Sequence, residues 1–244
     1  MNFGSLDCVL QVSNLSAGYK KNETVIEDIS FTVGEGEMVG LLGRNGTGKS
    51  TLLKTIHGLL HKTHGQIDLP GSDYAYIPEM PALYEELTLW EHLEIAAMSR
   101  GLEQPEFACK AEHLLQQFNM EKVKDYFPGG FSKGTRQKVM VMCAMLASPS
   151  LYLIDEPFNG LDALAIQEVL EWLDQEKQRG AGILLSTHVL ETAQRICDRF
   201  IILDNGRIIA AGTLEQLQEK AGCPNRDLFA IFLRLREVND SYEG

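Results

Sequence analysis

The chain has 244 residues, of which 44% are hydrophobic and 23% are charged, and its formal net charge is -12 at pH 7. These values are ordinary for a soluble globular protein, and the length allows a sizeable core. Nucleic-acid binders need a basic face, and so do proteins drawn broadly to anionic lipid, so the acidic balance argues against both classes.

The cysteines and apolar runs bear on the cellular compartment. Five cysteines are spread along the chain without a Cys-x-x-Cys pair, which argues against a disulfide framework or a zinc site and favours a reducing cytosol. The longest apolar run, 139–147, is far shorter than the ~18 residues that cross a bilayer. Residues 1–12 lack the pattern of a signal peptide. We therefore expect a cytoplasmic protein, and any membrane span must come from another chain.

Short apolar or alternating runs predict strands in the first third of the chain. They cover residues 8–15, 28–33 and 37–43, and two further pieces lie within residues 65–77. A helix is predicted to begin at Lys49, directly after the third strand and a glycine-rich turn.

The middle of the chain, residues 79–147, has a helical pattern and little strand signal. Thr88 and Glu91 form a predicted capping box ahead of an apolar helix, which we expect to end at Gly101. We interpret this stretch as a helical subdomain inserted into an α/β frame.

Strands and helices alternate again after the helical stretch, which predicts a largely parallel sheet covered by helices. A helical tail, residues 213–244, completes what we predict to be a single domain, residues 1–244. The predicted order is strand 151–154, helix 163–178, strand 182–186, helix 189–196, strand 200–203 and strand 207–211.

The segment "GRNGTGKS", Gly43 to Ser50, matches the phosphate-binding pattern G-x-x-x-x-G-K-[ST] at each fixed position. It follows an apolar strand and opens a helix, which is the context that the motif requires. In such a P-loop the backbone N–H groups hold phosphate oxygens. Lys49 reaches the β- and γ-phosphates, and Ser50 offers its hydroxyl to Mg²⁺. The sequence therefore predicts a nucleoside triphosphate site.

Two acidic residues, Asp155 and Glu156, end a buried strand at the edge where open α/β sheets bind ligands. Because adjacent strand residues point to opposite sides, Asp155 can face Mg²⁺ while Glu156 faces an attacking water. His188 ends the next predicted strand, where it can contact the γ-phosphate and the water. Without the P-loop, capping of the following turn would explain the carboxylates equally well.

Three histidines close in sequence, His57, His61 and His64, suggest a metal site at first sight. Gly58 and Gly65 break the segment, and no cysteine or acidic ligand is near. We interpret the three histidines as a solvated helix end and loop.

A basic segment, residues 131–138 with the sequence "FSKGTRQK", stands out in this acidic protein. Its cations are Lys133, Arg136 and Lys138, and Gly134 lies among them. The combination indicates an anion site at a helix N-terminus, with a solvated helix start as the alternative.

The P-loop, the helical stretch, the basic segment, "LIDEP", "NGLD" and "STH" follow one another in this order. In that order they resemble the nucleotide-binding subunit of an ATP-binding cassette (ABC) transporter, over almost the whole chain. The resemblance implies an α/β P-loop NTPase fold with a mostly parallel core sheet, an antiparallel β subdomain and an inserted helical subdomain. Within the family the chain is most similar to ATPase subunits of Ecs-type transporters of Gram-positive bacteria.

The first five residues of the basic segment, "FSKGT", stand where the family has Leu-Ser-Gly-Gly-Gln. Only the second and fourth positions are retained. The resemblance implies that two copies pack head to tail, so that Ser132, Lys133, Gly134 and Thr135 face an ATP held by the partner's P-loop. Lys133 either adds charge there or points to solvent.

The resemblance also assigns roles elsewhere in the chain. Tyr19 matches the aromatic residue that stacks on adenine, Asp162 belongs to the family's D-loop, and His188 falls at its switch histidine. Glu79 stands where the family has Gln, and a carboxylate can ligate Mg²⁺ or accept from water but cannot donate as an amide does.

These assignments predict an ATPase that drives a separate membrane-spanning permease, most similar to exporters and peripheral at the inner face of the cell membrane. A soluble ABC ATPase acting on ribosomes or DNA is the alternative, and a P-loop kinase or GTPase is a weaker one. The candidate catalytic residues are Glu156 and His188. The candidate Mg²⁺ ligands are Ser50, Glu79 and Asp155. The candidate ATP-binding residues are Tyr19, Gly43, Arg44, Asn45, Gly46, Thr47, Gly48, Lys49, Ser50, Thr51 and Glu79.

Overall fold

The computed structural model describes residues 8–20 and 23–242, which form two β-sheets and a set of surrounding helices. The strands are β1 (Cys8–Ala17), β2 (Ile26–Gly34), β3 (Met38–Leu42), β4 (Lys62–Asp68), β5 (Tyr74–Ile77), β6 (Leu151–Asp155), β7 (Gly182–Thr187), β8 (Arg199–Asp204) and β9 (Arg207–Gly212). The α-helices are α1 (Lys49–Ile56), α2 (Leu89–Met98), α3 (Glu106–Gln117), α4 (Lys133–Ala147), α5 (Ala163–Arg179), α6 (Leu190–Ile196), α7 (Leu214–Ala221) and α8 (Leu228–Tyr242).

The core sheet has the strand order β5-β6-β7-β3-β8-β9, and all its pairs are parallel except β8 with β9. Every residue of β3, β6 and β7 is buried, as expected of central parallel strands that are covered on both faces. The predicted, mostly parallel core sheet is confirmed. The adjacency of β6, β7 and β3 brings their carboxyl ends to one edge.

The second sheet is antiparallel, with the strand order β2-β1-β4. Its inward side chains, including Leu10, Leu15 and Ile29, share one hydrophobic cluster with α1 and with one face of the core sheet. Burial of this cluster fixes α1 between the two sheets, because apolar area removed from water stabilises the packing roughly in proportion. The helix that follows the P-loop is therefore held in a fixed position between the two sheets.

The stretch between β5 and β6 contains helices α2, α3 and α4, as predicted, and it packs on the other face of the core sheet together with α5. The capping box is present: Glu91 N donates to Thr88 Oγ1 at 3.2 Å, and Thr88 N donates to Glu91 Oε2 at 2.7 Å. Helix α2 ends at Met98, and Gly101 follows with a left-handed φ of 67°. The predicted end of this helix was therefore three residues late.

The C-terminal helices complete a third hydrophobic cluster, which joins α6, α7 and α8 to β8 and β9. Arg236 of α8 lies 3.4 Å, Nε to Oδ1, from Asp204, which is buried at the end of β8. This pair and the apolar contacts hold α8 against the sheet. In the described part of the chain, no helix combines the length and the hydropathy that a bilayer crossing requires.

Replacement of the capping threonine tests whether α2 depends on its N-terminal hydrogen bonds. We expect Thr88→Ala to lower the free energy of unfolding by about 1 kcal/mol, because the Glu91 N–H loses its acceptor. Thr88→Ser keeps the hydroxyl and is expected to behave as the parent protein does. Urea unfolding followed by circular dichroism measures the difference. Equal midpoints for Thr88→Ala and the parent would contradict the assigned cap.

Candidate functional site

The P-loop, residues 43–50, connects β3 to α1 and turns sharply where the helix begins. Gly48 is the N-cap of α1 and has a φ of 107°, which is costly for any residue with a side chain. A Cβ at this position would also lie 2.6 Å from Cγ2 of Ile26. The loop can therefore lie close to β2 and point the N-terminus of α1, with its unpaired N–H groups, outward.

Lys49 is 6% exposed and is held by backbone oxygens of its own loop. Its Nζ donates to the carbonyl oxygen of Gly43 at 2.8 Å and to that of Arg44 at 3.3 Å, and it lies 3.9 Å from Oε1 of Glu156. Burial lowers the pKa of Lys49, and the charges of Glu156, Asp155 and Glu79 oppose that shift. A phosphate group would add the strong counter-charge that the carbonyls do not supply.

The carboxylates that end β6 are fixed by different partners. Asp155 is buried and accepts a hydrogen bond from the hydroxyl of Ser186 on β7. Glu156 leaves the strand with a positive φ of 48°, and its Oε2 lies 2.8 Å from Nδ1 of His188. Asp155 is therefore the last residue of β6, whereas Glu156 lies in the turn after it, so the direction of the Glu156 side chain is set by the turn and not by strand alternation.

One oxygen of Glu156, Oε1, is buried and has no hydrogen-bond partner among the residues that the structure describes. Lys49 Nζ, at 3.9 Å, is too far for a hydrogen bond, although the two charges attract each other. A buried carboxylate oxygen without a donor is costly. It is therefore a strong acceptor for a water or hydroxyl that enters the adjacent space.

That space is a cavity of about 480 Å³, which we call the P-loop cavity. Its size is within the usual range for small-molecule sites. Tyr19 is 56% exposed at its rim, and Thr51 Oγ1 donates to the Tyr19 hydroxyl at 3.5 Å. The lining residues are Tyr19, Val25, Asn45, Gly46, Gly48, Lys49, Ser50, Thr51, Glu79, Glu156, Asn159 and His188.

Most of the predicted ATP-binding residues line this cavity, and three do not. Thr47 is buried, and its hydroxyl donates to the carbonyl oxygen of Arg44 at 2.9 Å, so its side chain stabilises the loop. Gly43 and Arg44 line a neighbouring cavity instead.

Two lining residues, Val25 and Asn159, were missed by the sequence reasoning. Asn159 lies in the turn that follows Glu156, where its N–H donates to the Glu156 carbonyl oxygen at 3.3 Å. Its place three residues after a candidate catalytic carboxylate was the signal that could have identified it.

The basic segment lies outside the P-loop cavity, at the N-terminus of α4. Ser132 is the N-cap, and its Oγ accepts from Thr135 N at 3.1 Å. Gly134 approaches Gly160 so closely that a Cβ at position 134 would lie 2.1 Å from the Gly160 carbonyl oxygen. The glycine is therefore needed for packing against the loop that follows Glu156.

Two cations of the basic segment are neutralised within the same chain. Arg136 Nη2 lies 2.8 Å from Glu85 Oε1, and Lys138 Nζ lies 2.9 Å from Asp162 Oδ2. Asp162 also caps α5 by accepting from Ala165 N, and these hydrogen bonds lower its pKa. The density of positive charge in the sequence therefore overstates the charge that the segment offers to an anion.

The three histidines near the end of α1 do not form a metal site. His57 ends α1, as predicted, but it is half-buried against Tyr74 and Tyr76 rather than solvated, and burial lowers its pKa. Among the described residues, no group of three or more His, Cys, Asp or Glu side chains is arranged to hold a metal ion.

Comparison with known proteins gives consistent matches. The family model described as "ABC transporter" matches residues 26–159. EcsA of Bacillus subtilis, an ABC-type transporter ATP-binding protein, is 47% identical over 246 residues, or 96% of this chain and 99% of that relative. LptB of Haemophilus influenzae, a lipopolysaccharide export system ATP-binding protein, is 31% identical over 86% of this chain and 92% of its own. A solved ATP-binding subunit of an ABC transporter has a TM-score of 0.89 and 48% identity, over 93% of this chain and 99% of its own.

Removal of the P-loop lysine tests the charge requirement of the cavity. We expect Lys49→Ala to abolish tight binding of Mg-ATP, because the β- and γ-phosphates lose their fixed counter-charge. Lys54→Ala is the matched control, since Lys54 lies in the same helix outside the cavity lining. Calorimetric titration measures both. Equal affinities for Lys49→Ala and the control would contradict the assignment of the loop.

Replacement of the exposed tyrosine tests its role as a base platform. We expect Tyr19→Ala to weaken ATP binding by about 1–3 kcal/mol, the usual scale of base–aromatic stacking. Stacking uses the face of a ring, so GTP is expected to lose a similar amount and Tyr19→Phe is expected to bind as the parent does. Fluorescence titration with both nucleotides distinguishes the outcomes. A loss restricted to ATP would mean that Tyr19 reads the edge of the base.

Proposed function

The chain belongs to the ABC transporter family, in which it is an ATP-binding subunit and an ATPase, and from this premise we propose how it uses ATP. Two copies pack head to tail and enclose two ATP molecules, and the closure moves a separate membrane permease. The permease carries the substrate path, and the ATPase is peripheral at the inner face of the cell membrane.

The hydrolytic role depends on one observation, the convergence of Lys49, Glu156 and His188 on the P-loop cavity. Lys49 holds the β- and γ-phosphates in place. The unpaired Glu156 Oε1 accepts a hydrogen bond from the attacking water and takes its proton. His188, 2.8 Å from the other oxygen of the same carboxylate, orients Glu156 and the γ-phosphate. Positioning and charge of this kind supply most of the catalysis in phosphoryl transfer.

Mg²⁺ is the metal that this site would use, and its donor atoms fit. Ser50 and Glu79 line the cavity. Asp155 is not among the lining residues, but it ends β6 close enough for its charge to act on Lys49. These are the oxygen donors that Mg²⁺ prefers, and Mg²⁺ takes few protein ligands when phosphates supply others. When bound, the ion would neutralise charge on the β- and γ-phosphates. Glu79 would act there as an acceptor only, since a carboxylate ligates a cation or a water but donates nothing.

The partner's role is inferred from the position of the basic segment. Ser132, Lys133, Gly134 and Thr135 lie outside the chain's own P-loop cavity, at the N-terminus of α4. The Thr135 N–H donates to Ser132 Oγ, and the N–H groups of Lys133 and Gly134 have no acceptor within the helix. In a head-to-tail pair this terminus faces the γ-phosphate held by the other copy. Lys133 adds positive charge there, while the cis pairs of Arg136 and Lys138 keep α4 in position.

We favour export as the direction of transport. The support is the name of one relative, LptB, which belongs to a lipopolysaccharide export system. The transported substrate would be chosen by the permease, because the residues described above contact only nucleotide.

A double variant tests the proposed trans site. Glu156→Gln is expected to bind ATP but hydrolyse it slowly, and so to run on a sizing column as a dimer with Mg-ATP and as a monomer with ADP. Addition of Ser132→Arg is expected to abolish the dimer and to keep monomer binding, because the new side chain crowds only the partner's phosphate.

Two controls separate that effect from local unfolding. Ser132→Ala removes the N-cap acceptor without added bulk, which costs about 1 kcal/mol of stability, and in the Glu156→Gln background it is expected to weaken the dimer far less than Ser132→Arg does. Lys49→Ala in that background is expected to lose both binding and dimer. If Ser132→Arg abolishes ATP binding by a folded monomer, the basic segment serves its own chain and the composite site is wrong.

A further inference from the structure

A second cavity of about 850 Å³ lies beside the P-loop cavity, between α6 and α8. We call it the α6–α8 cavity. Its near wall is formed by Arg44 of the P-loop and by His188, which also lines the P-loop cavity. Its far wall includes Phe229, which is 59% exposed, and Phe232. The lining also contains charged side chains, Glu191, Arg195 and Asp227, so the cavity is mixed in character. Its exposed apolar part lies next to the proposed catalytic histidine and needs a cover if the site is to exclude water.

The same chain carries an exposed apolar side chain in a complementary place. Leu164, in the first turn of α5, is 71% exposed, the highest value among the large apolar residues of the described ranges. It follows Asp162, whose carboxylate binds Lys138 of the basic segment. Leu164 and the basic segment therefore belong to one surface of the molecule.

A twofold axis would bring Leu164 of one copy to the α6–α8 cavity of the other. In a head-to-tail pair the partner's basic segment faces the P-loop, so the partner's Leu164 faces what flanks the P-loop. That flank is the α6–α8 cavity, which Arg44 and His188 join to the P-loop. In a twofold interface such a contact occurs twice, because each copy offers both the side chain and the cavity.

We propose that Leu164 of each copy inserts into the α6–α8 cavity of the other copy when ATP closes the dimer, packing on Phe229 and Phe232. This inference rests on the head-to-tail dimer of the proposed function. It adds an apolar contact that is independent of the nucleotide and that covers the open side of His188. It also makes α8 a part of the closed interface, since α8 supplies the two aromatic rings.

Site-specific cross-linking tests the contact directly. All proteins carry Glu156→Gln to hold the ATP dimer and Cys109→Ser to remove the exposed native thiol. One copy with Leu164→Cys is mixed with a differently tagged copy with Phe229→Cys, and a short bis-maleimide is added with Mg-ATP or with ADP. We expect a covalent heterodimer with Mg-ATP only. Phe127→Cys in place of Phe229→Cys is the matched control, since Phe127 is 53% exposed outside the α6–α8 cavity.

A charge substitution measures what the contact contributes. In the Glu156→Gln background we expect Leu164→Glu to raise the dimer dissociation constant with Mg-ATP about a hundredfold, roughly tenfold for each of the two leucines. Met98→Glu is the matched control, because Met98 is 68% exposed at the end of α2. It is expected to leave the constant unchanged. ATP affinity of the monomer and the thermal unfolding midpoint confirm that the variants are folded.

The outcomes separate this inference from the proposed function. Suppose that Mg-ATP dimerises the Glu156→Gln parent but the yield of cross-linking to position 229 is no higher than the yield with Phe127→Cys. Leu164 then does not bind in the α6–α8 cavity. A dissociation constant for Leu164→Glu within threefold of the parent value would overturn it equally. If Mg-ATP does not dimerise the parent at all, the head-to-tail dimer itself is wrong and this contact falls with it.

Discussion

Parallel pairing of β6 with β7 and of β7 with β3 is the constraint on which the site depends. Asp155 pairs with Ser186, and Leu42 pairs with Thr187, so three segments distant in sequence end at the same edge. The P-loop follows β3, the two carboxylates end β6, and His188 follows β7. A slip of one residue in either pair would turn these side chains to the wrong face. The parallel ladders that join the three strands hold this register.

Electrostatic balance at that edge explains why the site favours an anion. Lys49 is buried and faces carbonyl oxygens at hydrogen-bond distance and the Glu156 carboxylate at 3.9 Å. Glu156 in turn has one oxygen beside His188 and one without a donor. Within the described part of the chain, Lys49 has no carboxylate at hydrogen-bond distance and Glu156 Oε1 has no donor. A triphosphate and a water would complete both sets of contacts, so binding of substrate relieves a cost that folding leaves in place.

Local patterns predicted much of the fold and most of the site. The P-loop glycines, the capping box of Thr88 and the strand-end carboxylates are each determined by residues within a few positions of one another. Contacts made by distant residues were not predictable in the same way. The pairing of Arg136 with Glu85 needs the basic segment to meet the region before α2. The burial of His57 needs α1 to meet the edge strand β5. The α6–α8 cavity needs two helices that are separated in sequence by β8, β9 and α7.

The short loop between Glu156 and Asp162 links the two nucleotide sites of the proposed dimer. One end of the loop carries Glu156, which lines the P-loop cavity, and the other end carries Asp162, which accepts a hydrogen bond from Lys138 of α4. Gly160 packs closely on Gly134, so the two ends of the loop have little freedom to move relative to each other. In the proposed dimer a displacement at Glu156 therefore moves the surface that contacts the second nucleotide. Because such a linkage is reciprocal, the proposed dimer would bind its two nucleotides cooperatively rather than independently.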